Sequence, residues 1–251
     1  MEKKRNLVLV GDIHGEYRTL IWKALTQKKI VGADIVVLGD FGVGFDNSLA
    51  GDYAWSERRL EKADCIVWAL RGNHDDPSYF TPENPSPYPR LKFMEDYKTY
   101  TLGGDREVLI IGGANSVDIE DRQRMNKEYE EKGLKKRCWW EGEDVKRIDP
   151  DKLPLKVDII LSHESPLIFD PTPSRPESCP LYQYEKILAT RKYLSGILDK
   201  VRTDSWFFGH YHKPLSGSYN GTLWRGLDIM ELYQAPEKKN HNPQGDERDG
   251  D

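Results

Sequence analysis

Cysteine is scarce in this chain: three in 251 residues, namely Cys65, Cys138 and Cys179, far apart and odd in number. They match no zinc-ligand or disulfide spacing. A reducing compartment, the cytoplasm, is the expected setting. No apolar run approaches the ~20 residues needed to cross a bilayer. The charged segment Met1 to Arg5 leads into an apolar stretch too short for a signal-peptide core. Positive charge is not in excess either. The 37 Lys and Arg residues face 42 Asp and Glu residues, for a net charge of −5. That balance gives no basic stripe for a long nucleic-acid footprint. Histidine is also rare, with six residues, so the places where it occurs carry information.

What is present is a series of buried-strand patterns that end alike. Leu7-Val8-Leu9-Val10 is a short apolar run, followed by Gly11-Asp12-Ile13-His14-Gly15. Asp12 and His14 lie two apart in an extended segment and so share a side. One is a hard oxygen donor and the other a borderline nitrogen donor. Asp34 to Leu38 is a second buried strand, ending in Gly39-Asp40-Phe41-Gly42. Cys65 to Leu70 is a third, ending in Arg71-Gly72-Asn73-His74-Asp75. Helical spacing predicts a helix over about Tyr17–Lys28 and another over Ser48–Lys62. Strand–loop–helix units in series imply crossovers and a largely parallel sheet, with ligands beyond the carboxyl ends of its strands.

Further on, Pro82, Pro85, Pro87 and Pro89 mark an extended loop. Tyr97–Leu102 and Glu107–Ile111 read as an antiparallel hairpin. Gly112-Gly113-Ala114-Asn115-Ser116 opens a charged, partly helical stretch, Asp118 to Arg137, and Trp139-Trp140-Glu141 follows. Adjacent tryptophans seldom lie fully exposed, so they are expected to pin this insert to the body. Val157–Leu161 is a strand ending in Ser162-His163. Asp170–Pro180 is a second Pro-rich loop. A helix is expected over Leu181–Leu198, with Tyr184, Ile187, Leu188 and Leu194 on one face. Asp204–Phe208 is a strand ending in Gly209-His210-Tyr211-His212, and Asn220-Gly221 turns a final hairpin. The expected organisation is one domain over 1–235, with a lid-like insert at about 115–150. The polar segment 236–251 reads as a disordered tail.

His14, His74, His163, His210 and His212 each lie one to four residues beyond an apolar strand run, and Asp12, Asp40 and Asn73 share those strand ends. Two carboxylates, an amide and several imidazoles, with no thiolate, exceed what one structural zinc needs. They suffice for two metals about 3.5–4 Å apart that share a carboxylate. Oxygen and nitrogen donors suit Mn above all here, with Fe, Zn, Co or Ni as alternatives. Such a pair can bind a phosphoryl group, generate hydroxide near neutral pH and stabilise charge on the equatorial oxygens.

In this order, Gly-Asp-Ile-His-Gly, Gly39-Asp40, Gly72-Asn73-His74-Asp75, Ser162-His163 and Gly209-His210-Tyr211-His212 resemble the five motifs of the calcineurin-like metallophosphoesterase superfamily. The resemblance runs from about Leu7 to Leu232. It implies an α/β fold, a four-layer αββα sandwich of two mixed sheets. It also implies that Asp12, His14 and His212 hold one metal, that Asn73, His163 and His210 hold the other, and that Asp40 bridges them. His74 would be the leaving-group acid or a transition-state stabiliser, oriented by Asp75 or Asp12. A purely structural His74 is the alternative.

One departure stands out. Relatives often carry an acid or arginine soon after the second motif, where this chain has Phe41-Gly42-Val43-Gly44. The phosphate-binding arginine of the protein serine/threonine phosphatase branch is missing there, and protein phosphatase activity is not carried over. The insert, which is similar to one in bacterial and phage members, offers replacements. Arg122 or Arg124 could reach the substrate phosphate bidentately, with Arg71 as an alternative and Asn115 as a further polar contact. The expected function is hydrolysis of a phosphomonoester or nucleotide by metal-activated hydroxide. The alternatives are a phosphodiesterase or nuclease, and a catalytically silent protein-binding scaffold. No membrane partner is expected, and the oligomeric state is open.

Overall fold

In the computed structural model, which describes residues 5–45, 50–172 and 174–238, alternation along the first strand separates two interiors. Strand β1 is Asn6–Val10. Its Val8 and Val10 pack outward against helices, in one core with Tyr17, Leu20 and Leu60. Leu7 and Leu9 face the other way and meet Val108, Ile110, Leu161 and Phe207. A strand buried on both faces reads as a continuous apolar run, and Leu7-Val8-Leu9-Val10 does so.

The remaining strands are β2 (Ala33–Val37), β3 (Ile66–Ala69), β4 (Leu91–Phe93), β5 (Thr99–Leu102), β6 (Arg106–Ile111), β7 (Lys156–Ser162), β8 (Arg202–Phe208), β9 (Leu215–Tyr219), β10 (Thr222–Gly226) and β11 (Leu232–Gln234). They form two sheets, in the orders β11-β1-β2-β3-β4 and β5-β6-β7-β8-β10-β9. β1 to β4 run parallel, and β11 joins β1 antiparallel. In the second sheet β6, β7, β8 and β10 are parallel, with antiparallel β5 and β9 at the edges. Both sheets are therefore mixed.

Helix α1 (Tyr17–Ile21) runs on through Trp22–Gln27 in a wider turn, where Lys28 N bonds Lys23 O, five residues back. Helix α2 is Ala50–Lys62 and covers the same face of the first sheet. Helix α3 (Ile119–Glu131) lies in the insert. Helix α4 (Leu181–Lys200) packs Leu194 and Ile197 on Trp206 and Phe208 of the second sheet. Helices, sheet, sheet and helix thus make the four layers expected of the αββα sandwich.

Several expectations change in detail. The buried face of α4 is Gln183, Ile187, Thr190, Arg191, Leu194 and Ile197, so three polar side chains stand where Tyr184 and Leu188 were expected. Of the two tryptophans, Trp140 behaves as expected: it is buried and packs edge-on to Phe45 at 5.0 Å, while Trp139 is half-buried. The expected helix start at Ser48 and the tail from 239 onward, with His241, lie outside the described residues. The chain just before that tail is held. Arg106 Nη2 donates to Pro236 O at 2.9 Å, and Lys238 Nζ pairs with Asp158 at 2.9 Å. All three cysteines are free and buried. Among the described residues no helix is long and apolar enough to cross a membrane.

Candidate metal centre

The loops that leave β1, β2, β3, β7 and β8 meet at one place. Glycines permit the approach. A Cβ on Gly72 would stand 2.1 Å from Asp40 N and 2.2 Å from Asp40 Oδ1. A Cβ on Gly39 would stand 2.2 Å from His163 Nδ1. Backbone bonds then lock the loops together. His14 N donates to Asp40 O at 2.8 Å, and Asp40 Oδ1 accepts from His74 N at 2.8 Å. Asp12 accepts from His210 N at 3.0 Å. His14, Asp40, His210 and His212 all have positive φ, from 45° to 70°. Such backbone is uncommon outside glycine, and it clusters at functional sites where the surrounding fold holds it in place.

Two groups of donor atoms result. Asp12, His14, Asp40 and His212 form one, and Asp40, His163 and His210 form the other, the atoms of each lying within 4.8 Å of one another. Asp40 belongs to both. In the first group His212 Nε2 is 3.0 Å from Asp12 Oδ2 and 3.1 Å from His14 Nε2. In the second, His163 Nε2 lies 3.2 Å from Asp40 Oδ1 and 3.0 Å from Asn73 Oδ1.

The protonation pattern of His163 tests whether these residues fit a cation. Its Nδ1 is 2.7 Å from the carbonyl oxygen of Leu38, which can only accept. Nδ1 therefore carries a hydrogen, and in the neutral ring Nε2 is a lone pair. That lone pair faces two further acceptors, Asp40 Oδ1 and Asn73 Oδ1. Three converging acceptors require a proton or a metal ion between them. Burial would lower the pKa of His163, but the Asp40 and Asp12 carboxylates outweigh it and raise it to about 10. Burial would likewise raise Asp40, and His163, His74 and His14 instead hold it well below the usual carboxylate range. In the metal-free chain a proton serves where a cation can. The donors, carboxylate, amide and imidazole, suit Mn, Fe, Zn, Co or Ni.

A cavity of about 310 Å³ opens beside the donors, lined by Asp40, Asn73, His74, His210 and His212 on one side. Val117, Asp118, Arg122, Tyr184 and Ile187 line another part of it. Arg122 donates from Nε to Asp118 Oδ1 at 2.6 Å, and its Nη1 lies 3.0 Å from His74 Nδ1. Burial lowers the pKa of His74 to about 4, and the Arg122 charge acts in the same direction against the pull of Asp40.

The other sequence-selected residues lie elsewhere. Asp75 does not orient His74. Its carboxylate accepts from the backbone N–H groups of Phe41, Gly42, Val43 and Gly72, which shapes the loop after β2. Arg124 pairs with Asp121 at 2.7 Å on the exposed face of α3. Arg71 is fully buried and is not in the cavity wall. It binds Asp96 and the carbonyls of Gly112, Gly142, Glu143 and Asp144, so it clamps the insert to β3. Asn115 accepts from Thr190 Oγ1 at 2.8 Å and anchors α4.

Sequence reasoning passed over Ser116, Glu143 and Gln183. Asn73 Nδ2 donates to Ser116 Oγ, Ser116 binds Glu143, and Gln183 Nε2 donates to Ser116 O. Ser116 closes the Gly-Gly-Ala-Asn-Ser run, and Glu143 lies three residues beyond Trp140. The signal was present, but it named their neighbours.

Comparison with curated proteins gives no match. Among solved structures, TT1561 of Thermus thermophilus is similar in fold at 11% identity and a TM-score of 0.52, over 92% of this chain and 95% of that one. The phosphopantetheinyl hydrolase of Mycobacterium tuberculosis aligns at 12% identity and a TM-score of 0.44, over 97% of this chain and 99% of that one. The profile of the family described as calcineurin-like phosphoesterase matches residues 5–214. Five motif loops that gather two overlapping donor groups at the ends of two mixed sheets agree with that match over most of the chain, and the chain belongs to the calcineurin-like phosphoesterase family.

Proposed function

We propose that the chain is a dinuclear metal-dependent hydrolase of phosphate monoesters, with a small organic phosphate or a nucleotide as substrate. The observation that carries this reading is that His163 Nε2 lies 3.2 Å from Asp40 Oδ1 and 3.0 Å from Asn73 Oδ1, beside a second donor group that shares Asp40. Asp12, His14 and His212 would hold one cation, Asn73, His163 and His210 the other, and Asp40 both. When bound, the two cations supply activation of the attacking water and neutralise charge on the phosphate.

The protein's own groups divide the remaining work. Arg122 donates to His74 Nδ1, so the neutral ring carries its hydrogen on Nε2. With its pKa near 4, His74 is neutral at pH 7. It therefore acts as an Nε2–H donor to developing charge, not as an imidazolium acid. Arg122, held by Asp118, sits in the cavity wall as the phosphate-binding cation. Val117, Tyr184 and Ile187 give that wall an apolar part, suited to the organic portion of a small ester. The three free cysteines support a cytoplasmic setting. Manganese is the metal we expect.

The test is hydrolysis of p-nitrophenyl phosphate and bis(p-nitrophenyl) phosphate with Mn²⁺, Fe²⁺, Zn²⁺, Co²⁺ or Ni²⁺. The monoester should be preferred, and His163→Ala should abolish turnover. Preference for the diester, with a KM that rises steeply with salt on an oligonucleotide, would favour a nuclease instead. Full metal occupancy without turnover on either ester would leave a binding scaffold.

A further inference from the structure

An asparagine ligand has a difficulty that a carboxylate lacks. Only its Oδ1 can face a cation, and a half-turn of the amide presents an NH₂ group instead. Something must choose the orientation. We infer that Ser116 and Glu143 are positioning residues that fix the Asn73 amide with its oxygen toward the metal centre. This rests on the reading of Asn73 as a metal ligand.

The hydrogen-bond directions run one way. Asn73 Nδ2 donates to Ser116 Oγ at 3.0 Å, while Asn73 Oδ1 is 3.0 Å from His163 Nε2. With Glu143 ionised, the one hydrogen of Ser116 Oγ goes to Glu143 Oε2 at 2.7 Å. The hydroxyl can then only accept from Asn73. Glu143 Oε1 accepts from Ser116 N at 2.9 Å, so the carboxylate grips Ser116 twice. Gln183 Nε2 holds Ser116 O at 2.8 Å. All of these groups are buried: Asn73 is 3% exposed, Ser116 1%, Gln183 1% and Glu143 4%. Glu143 is itself fixed, because its carbonyl accepts from Arg71 Nη1 at 2.8 Å and from Ala114 N at 3.1 Å. Arg71 directly precedes Gly72-Asn73. The insert thus reaches the metal centre through an acceptor–donor chain whose polarity starts at a carboxylate. Outer partners of this kind commonly set the affinity of a metal site.

The polarity can be reversed without changing shape. In Glu143→Gln, Ser116 N still requires an oxygen opposite it, which puts the new NH₂ against Ser116 Oγ. The hydroxyl must then turn its hydrogen toward Asn73, and the amide must flip. Ser116→Ala removes the acceptor altogether and serves as the second variant if the first folds poorly. Mn²⁺ titration of the metal-free protein by calorimetry at pH 8, where Glu143 is a carboxylate, reads both sites. In each variant one equivalent should bind as in the wild type. The other should weaken by about ten- to a hundred-fold, the range for lost outer partners, with the thermal melt still cooperative. In an Asn73→Asp background no orientation needs choosing, so adding Glu143→Gln should cost no further affinity. If Asn73→Ala loses the second equivalent while Ser116→Ala and Glu143→Gln both keep it, the positioning role is overturned. If Asn73→Ala itself keeps both equivalents at wild-type affinity, the ligand reading fails, and this inference fails with it.

Discussion

Arg122 Nη1 lies 3.0 Å from His74 Nδ1. The arginine can only donate, so the contact fixes a tautomer. It also puts a permanent charge from the insert beside an imidazole from the loop after β3. Phe45 stacks on a face of that ring, 5.5 Å away and nearly parallel, and meets Trp140 of the insert in turn.

Arg122→Ala should therefore lower kcat/KM for a monoester by a hundred-fold or so, on the order of 3 kcal/mol of lost stabilisation. Arg124→Ala should change it less than about two-fold, because that side chain is 66% exposed and pairs with Asp121 on the solvent face of α3. Steady-state kinetics of the two variants side by side separate these outcomes. Equal losses would mean that α3 matters only as a folded unit.

Two glycines should respond in opposite ways. Gly72→Ala forces a methyl group to 2.2 Å from Asp40 Oδ1. It should lose about 1–3 kcal/mol of stability, the range for overpacking, and lose metal with it. Gly51 lies in α2, and a Cβ there meets nothing within 4 Å. Gly51→Ala should stabilise the fold by roughly 0.5–1 kcal/mol and leave metal binding unchanged. Denaturant melts and metal analysis check both.

Burial pushes Glu143 up from its ordinary 4.5 to about 7, against the opposing hydrogen bonds from Ser116. Between those values the folded chain holds a proton that the unfolded chain has released. Its contribution to stability therefore falls as pH rises from about 4.5 to about 7 and is level above. The full difference is on the order of 3 kcal/mol. In the metal-free protein Glu143→Gln should flatten this slope, gaining stability relative to wild type at pH 8 compared with pH 4.5. Urea unfolding at the two values measures it. A variant that gains stability while losing affinity for metal would mark Glu143 as kept for function.

Much of this was legible in the sequence, for identifiable reasons. Leu7-Val8-Leu9-Val10 announced a strand buried on both faces. The imidazoles and carboxylates at strand ends announced a shared site, because parallel strands deliver their carboxyl ends to one edge. The buried polar groups were not legible. Arg71 looked like a phosphate ligand because most of its partners are backbone carbonyls, which have no sequence signature. Gln183, Thr190 and Arg191 broke the expected apolar face of α4 because two of them bind the Asn115-Ser116 segment and the third reaches Thr172 Oγ1 at 3.5 Å. The same limit hid Ser116 behind Asn115.

Asp40 belongs to both donor groups, so metal counting on one variant tests the whole account most directly. Elemental analysis of wild-type protein after equilibration with Mn²⁺ should find two ions per chain, and Asp40→Ala should find one or none. Two tightly held ions in Asp40→Ala, or none in a folded wild type, would contradict it.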